Sequence, residues 1–379
     1  MVSAQPESRS IYRQQVVAIA ICWTIIGMVD AVHTHVISNG LLLQRTEDYH
    51  FGQLFWSGTI SAILSGGISG SVLVFYLRRW SRQRPFGLSI AVNTTVITLL
   101  NISLTVVTYQ ILTGVWGEEP VLGNVSLLQS LALLGSPYFL KGVVLWVIVV
   151  LLTIIALNVN EKYGHGVLLK LLTGHYHKPR EEERIFMFVD IKSSTGIAEK
   201  LGHVHFFRLL NDFFADITEP VIRTRGEIYQ YVGDEVVISW NMHKGTMHHN
   251  AIRCFFLIQE AIQKAAHRYR DRYGLVPEFK VGLHAGMVTT GEIGVIKKDI
   301  VYSGDVMNTT SRIQAVCNKF RVNILMSKHL LDQMRLPSDL YPLKRVGVIE
   351  LKGKKEKVEL FTFEYSILPR PETDPFAFT

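Results

Sequence analysis

Four apolar stretches in the first half of the chain constrain its fold more than any other feature. They cover residues 16–38, 54–77, 86–112 and 140–158. Each is close to or above the roughly 20 residues that a helix needs to cross a bilayer. The chain is 48% hydrophobic, and that excess lies in these stretches, whereas residues 160–379 have the composition of a soluble domain. The sequence therefore predicts a membrane domain over 1–158, a linker over 159–183, a soluble domain over 184–365 and a tail over 366–379.

Two apolar segments have an alternative to a membrane span. The first stretch lacks a small-residue cleavage site and is too long for the core of a signal peptide, so it is predicted as a membrane helix. Residues 121–136 are also apolar, but the segment is short and contains Asn124, Ser126, Gln129 and Ser130. An amphipathic helix at the membrane interface is a better prediction there than a fifth span.

The loops between the spans predict the orientation. The loop 78–84 has four arginines and no acid, whereas residues 116–120 have two glutamates and no base. Basic loops stay on the cytoplasmic side, so both termini and the soluble domain are predicted in the cytoplasm, below an inner or plasma membrane. Because the basic residues lie beside the spans, the net charge of +7 does not indicate a nucleic-acid partner. The three cysteines show no disulfide or zinc spacing.

Polar and small residues within the spans predict either functional sites or contacts between helices. Asp30, His33 and His35 lie in the outer half of the first span, where ionisable groups suggest a sensing, proton or metal site. The alternatives are a polar contact between helices and a span that ends before these residues. The run 65–71, SGGISGS, favours close helix packing. In the linker, His175 and His177 are predicted as loop residues rather than a metal site.

The soluble half alternates strand and helix patterns. Residues 184–191 read as a buried strand, 227–240 as a hairpin with Gly233-Asp234 at its tip, and 278–294 as two strands around a turn. Helical spacing covers the segment after residue 192, then 248–273 and 305–317, and residues 346–364 read as a closing hairpin. This order predicts a sheet with helices on its faces.

Several polar residues in this half are candidates for phosphate chemistry. Asp190 ends a buried strand just before a helix, where the backbone N–H groups of 192–195 are predicted to face a phosphate. Asp190 and Asp234 together could bind hard cations such as Mg²⁺, although each alone is better explained as a cap or turn residue. Asn308 and Arg312, four residues apart, share one helix face and suit a charged phosphoryl group. Lys352 and Lys354 flank a glycine on the closing hairpin.

The order of five motifs resembles the catalytic domain of class III nucleotidyl cyclases over about residues 182–365. The motifs are FVDIKSST, YVGDEV, VGLHAGMVTTGEIG, YSGDVMNTTSR and LKGKKEKVELF. The resemblance implies an α+β ferredoxin-like domain that forms a head-to-tail homodimer with two active sites at the interface. It further implies roles for six residues: Asp190, Asp234 and the carbonyl of Ile191 bind two Mg²⁺ or Mn²⁺ ions, Asn308 and Arg312 of the partner stabilise the transition state, and Lys352 binds the triphosphate.

Two positions depart from the family pattern. Gln230 stands where adenylate cyclases typically have Lys and guanylate cyclases Glu, and Val301 stands where the pattern has Asp, Thr or Cys. The Gly-Asp-Glu tip also resembles that of diguanylate cyclases, but the second Gly and the Phe of their motif are missing. The resemblance favours an adenylate cyclase that converts ATP to cyclic AMP. A guanylate cyclase using GTP, a silent nucleotide-binding receptor or scaffold, and a transporter with an appended domain are the alternatives.

Overall fold

A computed structural model describes residues 8–40, 51–81, 84–116, 137–163, 173–174, 176–296, 298–337, 341–350 and 357–364. The chain divides into two compact units, Met1–Tyr163 and Gly164–Thr379. The predicted interfacial segment 121–136, the acidic loop residues Glu118 and Glu119, and His175 lie outside the described residues.

The first unit is helical. Its helices are α1 (Ser8–Gly40), α2 (Phe51–Ser71), α3 (Arg78–Ser81), α4 (Phe86–Trp116) and α5 (Pro137–Tyr163), with a π-helical turn, Val72–Leu77, between α2 and α3. Within the described residues, four segments are long and apolar enough to cross a membrane: Tyr12–Ile37, Phe55–Leu77, Phe86–Thr108 and Phe139–Asn160. The four predicted apolar stretches are therefore helices, and their ends differ from the prediction by only a few residues.

Small residues hold α1 and α2 together, as the run 65–71 predicted. A Cβ atom placed on Gly66 would lie 2.7 Å from the Cα atom of Ala20, and one on Gly27 would lie 2.5 Å from the Cβ atom of Ala62. Such close approach of two backbones is available only to small side chains. A polar contact joins α2 to α4, because the hydroxyl of Ser69 donates to Asn101 Oδ1 at 2.6 Å.

Asp30 makes a contact between helices. Its Oδ1 lies 2.7 Å from Nζ of Lys141 on α5, and the same ammonium donates to the hydroxyl of Thr34 at 2.6 Å. His35 instead packs its ring against Phe51, with the ring centroids 4.3 Å apart. Of the predicted roles of these polar residues, the interhelical contact is the one that the geometry of Asp30 favours.

The second unit is a mixed sheet with helices on both faces. Its strands are β1 (Arg180–Ile191), β2 (Glu227–Val232), β3 (Glu235–Asn241), β4 (Phe279–Ile293), β5 (Asp299–Ser303), β6 (Ile324–Ser327), β7 (Leu343–Glu350) and β8 (Lys357–Phe363). They are ordered β2-β3-β1-β4-β6-β8-β7, and β5 pairs with β4 off this path. Among the described strands, β4 and β6 pair in parallel and the other pairs are antiparallel. The predicted α+β fold is confirmed.

The helices of this unit cover the two faces of the sheet. They are α6 (Ser194–Leu201), α7 (His203–Arg223), α8 (Met242–Thr246), α9 (Asn250–Lys264), α10 (Ala266–Tyr273), α11 (Asp305–Ala315), α12 (Cys317–Phe320) and α13 (Lys328–Met334). Residues 185–189 of β1 are apolar on both faces because both faces are covered there. Ile185, Met187 and Val189 lie in the core that α7 and α9 complete, whereas Phe186 and Phe188 pack with Val306 of α11.

Three predictions about these elements were wrong. The predicted helix over 248–273 is two helices, α9 and α10, divided at Ala265. The segment 278–294 is one strand of 15 residues rather than two strands around a turn, because β1 pairs with it continuously from Phe279 to Thr290. The helical segment after residue 192 is two helices, α6 and α7. Gly202, with φ +73°, separates them in a left-handed conformation that glycine adopts without strain.

Candidate active site

Asp190 lies at the end of β1, between two charged residues of the neighbouring strands. In the sheet register it stands opposite Glu235 of β3 and Lys280 of β4. Its Oδ2 atom is 3.0 Å from Nζ of Lys280 and accepts a hydrogen bond of 2.7 Å from Nε2 of Gln314 on α11. Asp190 is therefore held from two sides, by a cation in the sheet and by an amide on the helix above it.

Asp234 lies on the tight turn between β2 and β3. Gly233 precedes it with φ +62°, a conformation that favours glycine, so the predicted hairpin tip is confirmed. Burial raises the pKa of Asp190; Lys280 and Gln314 oppose this shift, whereas the neighbouring carboxyl of Asp234 adds to it. In the sheet register Asp190 stands opposite Glu235, the residue that follows Asp234, so the two predicted metal-binding carboxyls lie at the same end of the sheet.

Glu235 adds a third carboxyl to this cluster. Burial, followed by the charges of Asp190 and Asp234, raises its pKa to about 7. The ammonium of Lys280 offsets part of this negative charge, and the carboxylate oxygens suit a divalent cation.

The residues present fit a magnesium or manganese site. Among the described residues, no group of three His, Cys, Asp or Glu side chains is arranged to hold a metal by itself. Mg²⁺ is commonly bound by one or two carboxylates while substrate phosphates and water complete its octahedron. Asp190, Asp234 and the backbone carbonyl of Ile191 are oxygen ligands of this kind, so a metal here would depend on the nucleotide for the rest of its coordination.

The turn after β1 differs from the prediction in one respect. The backbone N–H of Lys192 donates to the carbonyl of Glu278 at 2.8 Å, so it does not face a phosphate. Its ammonium donates to Oδ1 of Asn323 at 2.6 Å. Ser193 follows with φ 55°, and α6 begins at Ser194. These bonds fix the end of β1 and hence the position of Asp190.

Helix α11 lies directly on β4 because two glycines leave room for it. A Cβ atom on Gly282 would be 2.5 Å from the backbone nitrogen of Gln314, and one on Gly286 would be 2.7 Å from Cγ2 of Val306. The close approach brings the side chain of Gln314 to Asp190.

The two predicted transition-state residues lie on the opposite face of the same helix. The buried residues of α11 are Val306, Thr309, Thr310, Ile313 and Gln314. Asn308 is exposed and Arg312 is half-buried. At about 100° per residue these two lie together, roughly opposite the centre of the buried face. They therefore point away from the Asp190 of their own chain.

The predicted base-reading residues lie on two hairpins. Gln230 is exposed on β2 opposite Val237, four residues before Asp234. Val301 is half-buried on β5 opposite Gly291. Lys352 and Lys354 lie in 351–356, outside the described residues.

Sequence reasoning missed Lys280, Gln314 and Glu235. The alternation of side chains along β4 could have placed Lys280 on the same sheet face as Gly282. Its contact with Asp190, however, depends on how β4 pairs with β1, which no local pattern specifies.

Comparisons with known proteins agree with this fold. Residues 176–364 match the family model of the adenylate and guanylate cyclase catalytic domain. The chain is 39% identical to adenylate cyclase 2 of Rhizobium meliloti (strain 1021) over 209 residues, which are 55% of this chain and 57% of that protein. It is 26% identical to adenylate cyclase 1 of the same strain over 186 residues, 48% of this chain and 27% of that protein.

A solved structure shares the fold. The structure of a bacterial light-regulated adenylyl cyclase superposes with a TM-score of 0.50 at 24% identity, covering 57% of this chain and 64% of that one. The chain thus spans little more than half, or less, of the curated relatives' lengths. With four helices of bilayer length before it, residues 176–364 form a catalytic domain that belongs to the class III adenylate and guanylate cyclases.

Proposed function

We propose that this chain is a membrane-bound adenylate cyclase that converts ATP to cyclic AMP and pyrophosphate. The observation that supports this most is the position of Asp190, which Lys280 and Gln314 hold at the same end of the sheet as the hairpin tip that bears Asp234. In the reaction, the ribose 3′-oxygen forms a bond to the α-phosphorus, the bond from that phosphorus to the pyrophosphate oxygen breaks, and the 3′-hydroxyl proton leaves to solvent.

Asp190, Asp234 and the carbonyl of Ile191 would hold two Mg²⁺ or Mn²⁺ ions in each active site. When bound, such ions neutralise phosphate charge and lower the pKa of a coordinated hydroxyl. The chain's own contribution is to fix the ligands: the bond from Gln314 orients Asp190, and the ammonium of Lys280 pairs with its carboxyl and opposes the effect of burial on its pKa. Lys352 would bind the triphosphate. No nucleophilic side chain is required, because the substrate supplies its own hydroxyl.

Each active site would be built from two chains of a homodimer. Asn308 and Arg312 lie on the face of α11 that does not contact the sheet, so they are available to the active site of a partner chain. There Asn308 would orient the ribose, and the guanidinium of Arg312 would neutralise the charge that grows on the phosphoryl oxygens in the transition state. A head-to-tail dimer would contain two such sites.

Gln230, on the β2–β3 hairpin, would form hydrogen bonds with the purine base. Val301 would contact the base without a hydrogen bond. An amide can donate to or accept from either purine, whereas a valine side chain can do neither. We therefore propose ATP as the substrate with a modest preference over GTP. Guanylate cyclase activity is the second candidate, because neither position has the residue type that adenylate cyclases of this family typically use.

The four apolar helices would span an inner or plasma membrane, with the N-terminus and the catalytic domain in the cytoplasm. Contacts within the helical unit support a common side for these parts. Arg78, in the basic loop region, donates to Gln15 at 3.0 Å, near the start of α1. Asp30, near the end of α1, pairs with Lys141, near the start of α5. The start of α1, the arginine-rich loop and the end of α5 therefore lie at one end of the helices.

The direct test is turnover by the purified full chain in lipid nanodiscs. ATP and GTP are each supplied with Mg²⁺ or Mn²⁺, and the cyclic products are separated by chromatography. We expect cyclic AMP to exceed cyclic GMP. Asp190→Ala and Asp234→Ala should be inactive yet dimeric, whereas Asp332→Ala, which removes only an exposed pair with Lys328, should be unaffected.

Three results would contradict the proposal. Turnover of neither purine by the dimeric protein would favour a silent nucleotide-binding receptor or scaffold. A larger yield of cyclic GMP would make the protein a guanylate cyclase. Wild-type activity in either aspartate variant would remove the metal site from Asp190 and Asp234.

A further inference from the structure

A β-bulge in β2 determines which face of the sheet Gln230 occupies. Ile228 pairs with Ile238 and Gln230 pairs with Val237, so Tyr229 between them is the extra residue of the bulge. Side chains two positions apart in a regular strand share a face, and Ile228 packs against the core that α7 and α9 complete. Without the bulge, Gln230 would face that core. With the bulge, it lies on the opposite face, beside Val237.

Tyr229 connects this bulge to β5. Its hydroxyl accepts a hydrogen bond of 3.3 Å from the backbone N–H of Tyr302, and the two rings pack with their centroids 4.9 Å apart. Strands β3, β1 and β4 lie between β2 and β5 in the sheet, so the contact requires β5 to curve over the sheet face. Gln230 follows Tyr229 in sequence, and Val301 precedes Tyr302. The tyrosine pair therefore joins, within one chain, the two positions proposed to contact the base.

A buried arginine supports the ring of Tyr302. The side chain of Arg184 is buried, and its guanidinium carbon lies 4.6 Å from the ring centroid of Tyr302, within the range of a cation–π contact. The same guanidinium donates to Glu227 at 2.7 Å and to Ser239 at 2.9 Å. Because Glu227 begins β2, Arg184 holds both the ring of Tyr302 and the strand that bears Tyr229.

We propose that Tyr229 is a positioning residue for purine selection. Its bond to the backbone of Tyr302 holds the bulge in place and so fixes the side chain of Gln230 relative to Val301. The inference rests on the proposed cyclase function, and Tyr229 itself need not touch the nucleotide. The amide of Gln230 can rotate to suit either purine, so its discrimination depends on how firmly its backbone is held.

The test is a double-mutant cycle on base selection. Tyr229→Phe keeps the ring and removes only the hydroxyl that accepts the N–H of Tyr302. The change is made in the full chain and again in a Gln230→Ala background, and kcat and KM are measured with ATP and with GTP. Tyr273→Phe is the matched control, because it removes a hydroxyl that donates to Asp212 at 2.9 Å, between α10 and α7.

We expect Tyr229→Phe to raise the KM for ATP about 2- to 10-fold, the range that corresponds to one neutral hydrogen bond, with kcat changed less than about twofold. The ratio of kcat/KM for ATP to that for GTP should move towards one. In the Gln230→Ala background, Tyr229→Phe should leave that ratio unchanged, because the residue through which it acts is missing. Tyr273→Phe should change neither KM nor the ratio, although both tyrosine variants should lower Tm by similar amounts.

Three results would overturn the inference. An unchanged KM and an unchanged ratio in Tyr229→Phe would show that the bond to Tyr302 does not position the residues that contact the base. A shift of equal size in the Gln230→Ala background would show that Tyr229 acts through another residue. The same shift in Tyr273→Phe would show that any lost hydroxyl loosens the site.

Nucleotide affinity separates this inference from the proposed function. The same variants are titrated with ATP and GTP that bear a fluorescent label on the ribose, which leaves the base free. If the parent turns over neither purine, but Tyr229→Phe weakens the binding of labelled ATP only when Gln230 is present, the cyclase function is wrong and the inference stands. If the parent binds neither nucleotide, both are contradicted.

Discussion

Gly282→Ala should displace the helix that supports the candidate active site. The added Cβ atom would lie 2.5 Å from the backbone nitrogen of Gln314 and 2.7 Å from the carbonyl oxygen of Thr310. Both are backbone atoms, so no side-chain rotation relieves the contact, and α11 must move away from β4. The hydrogen bond from Gln314 to Asp190 would then lengthen or break.

The magnitude follows from these two effects. Overpacking of a tight contact costs about 1–3 kcal/mol. A hydrogen bond to a charged group contributes about 1.5–3 kcal/mol. Partial relaxation of the structure makes the combined cost smaller than the sum of the two upper values. We therefore expect a loss of about 2–4 kcal/mol in the free energy of unfolding. Since α11 also bears Asn308 and Arg312, a shift near 1 Å should lower turnover about 100-fold.

Calorimetry of the full chain and the cyclase assay measure both effects, with two glycine variants as matched controls. In Gly286→Ala the added Cβ atom contacts only the side chain of Val306, which can adjust, so the free energy of unfolding should fall by about 1 kcal/mol. In Gly196→Ala, within α6, the added Cβ atom has no neighbour within 4 Å, and the change should stabilise the helix slightly. The reasoning fails if Gly282→Ala has the free energy of unfolding and the turnover of the parent. It fails equally if Gly286→Ala loses more stability than Gly282→Ala, because the close contact between α11 and β4 would then not position Asp190.

Three further changes test other contacts. Gln230→Lys should sharpen the preference for ATP over GTP and Gln230→Glu should shift it towards GTP; an unchanged ratio in both would mean that Gln230 does not read the base. Lys141→Met and Asp30→Asn, measured singly and together by thermal unfolding in detergent, should show a coupling energy of about 1–2 kcal/mol, and strictly additive effects would refute the ion pair. Tyr269→Phe removes the hydroxyl that donates to Asp216 at 2.6 Å and should cost about 1.5 kcal/mol in calorimetry, whereas an unchanged transition would show that Arg268 alone satisfies this carboxylate.

The features that the sequence predicted are those that depend on local pattern. Apolar length predicts the four long helices, and Gly233 with φ +62° explains why Gly-Asp between two strand patterns indicates a turn. The four-residue spacing of Asn308 and Arg312 places them on one helix face whatever the helix packs against.

The features that the sequence did not predict depend on contacts between distant segments. Lys280 contacts Asp190 only because β4 pairs antiparallel with β1 in one register, 90 residues apart in sequence. Gln314 contacts it only because α11 sits on Gly282. The single strand over Phe279–Ile293 was missed for the same reason, since pairing with β1 holds the segment extended through two glycines.

The most direct test of the account mixes two inactive chains. Asp190→Ala and Arg312→Ala are co-expressed with different tags, and the heterodimer is isolated and assayed with ATP. Because one chain keeps the metal-binding carboxylates and the other keeps the guanidinium, one of the two sites in each heterodimer is complete. The account predicts about half of the parent turnover from the heterodimer and none from either homodimer. A verified heterodimer without activity would contradict active sites shared between two chains.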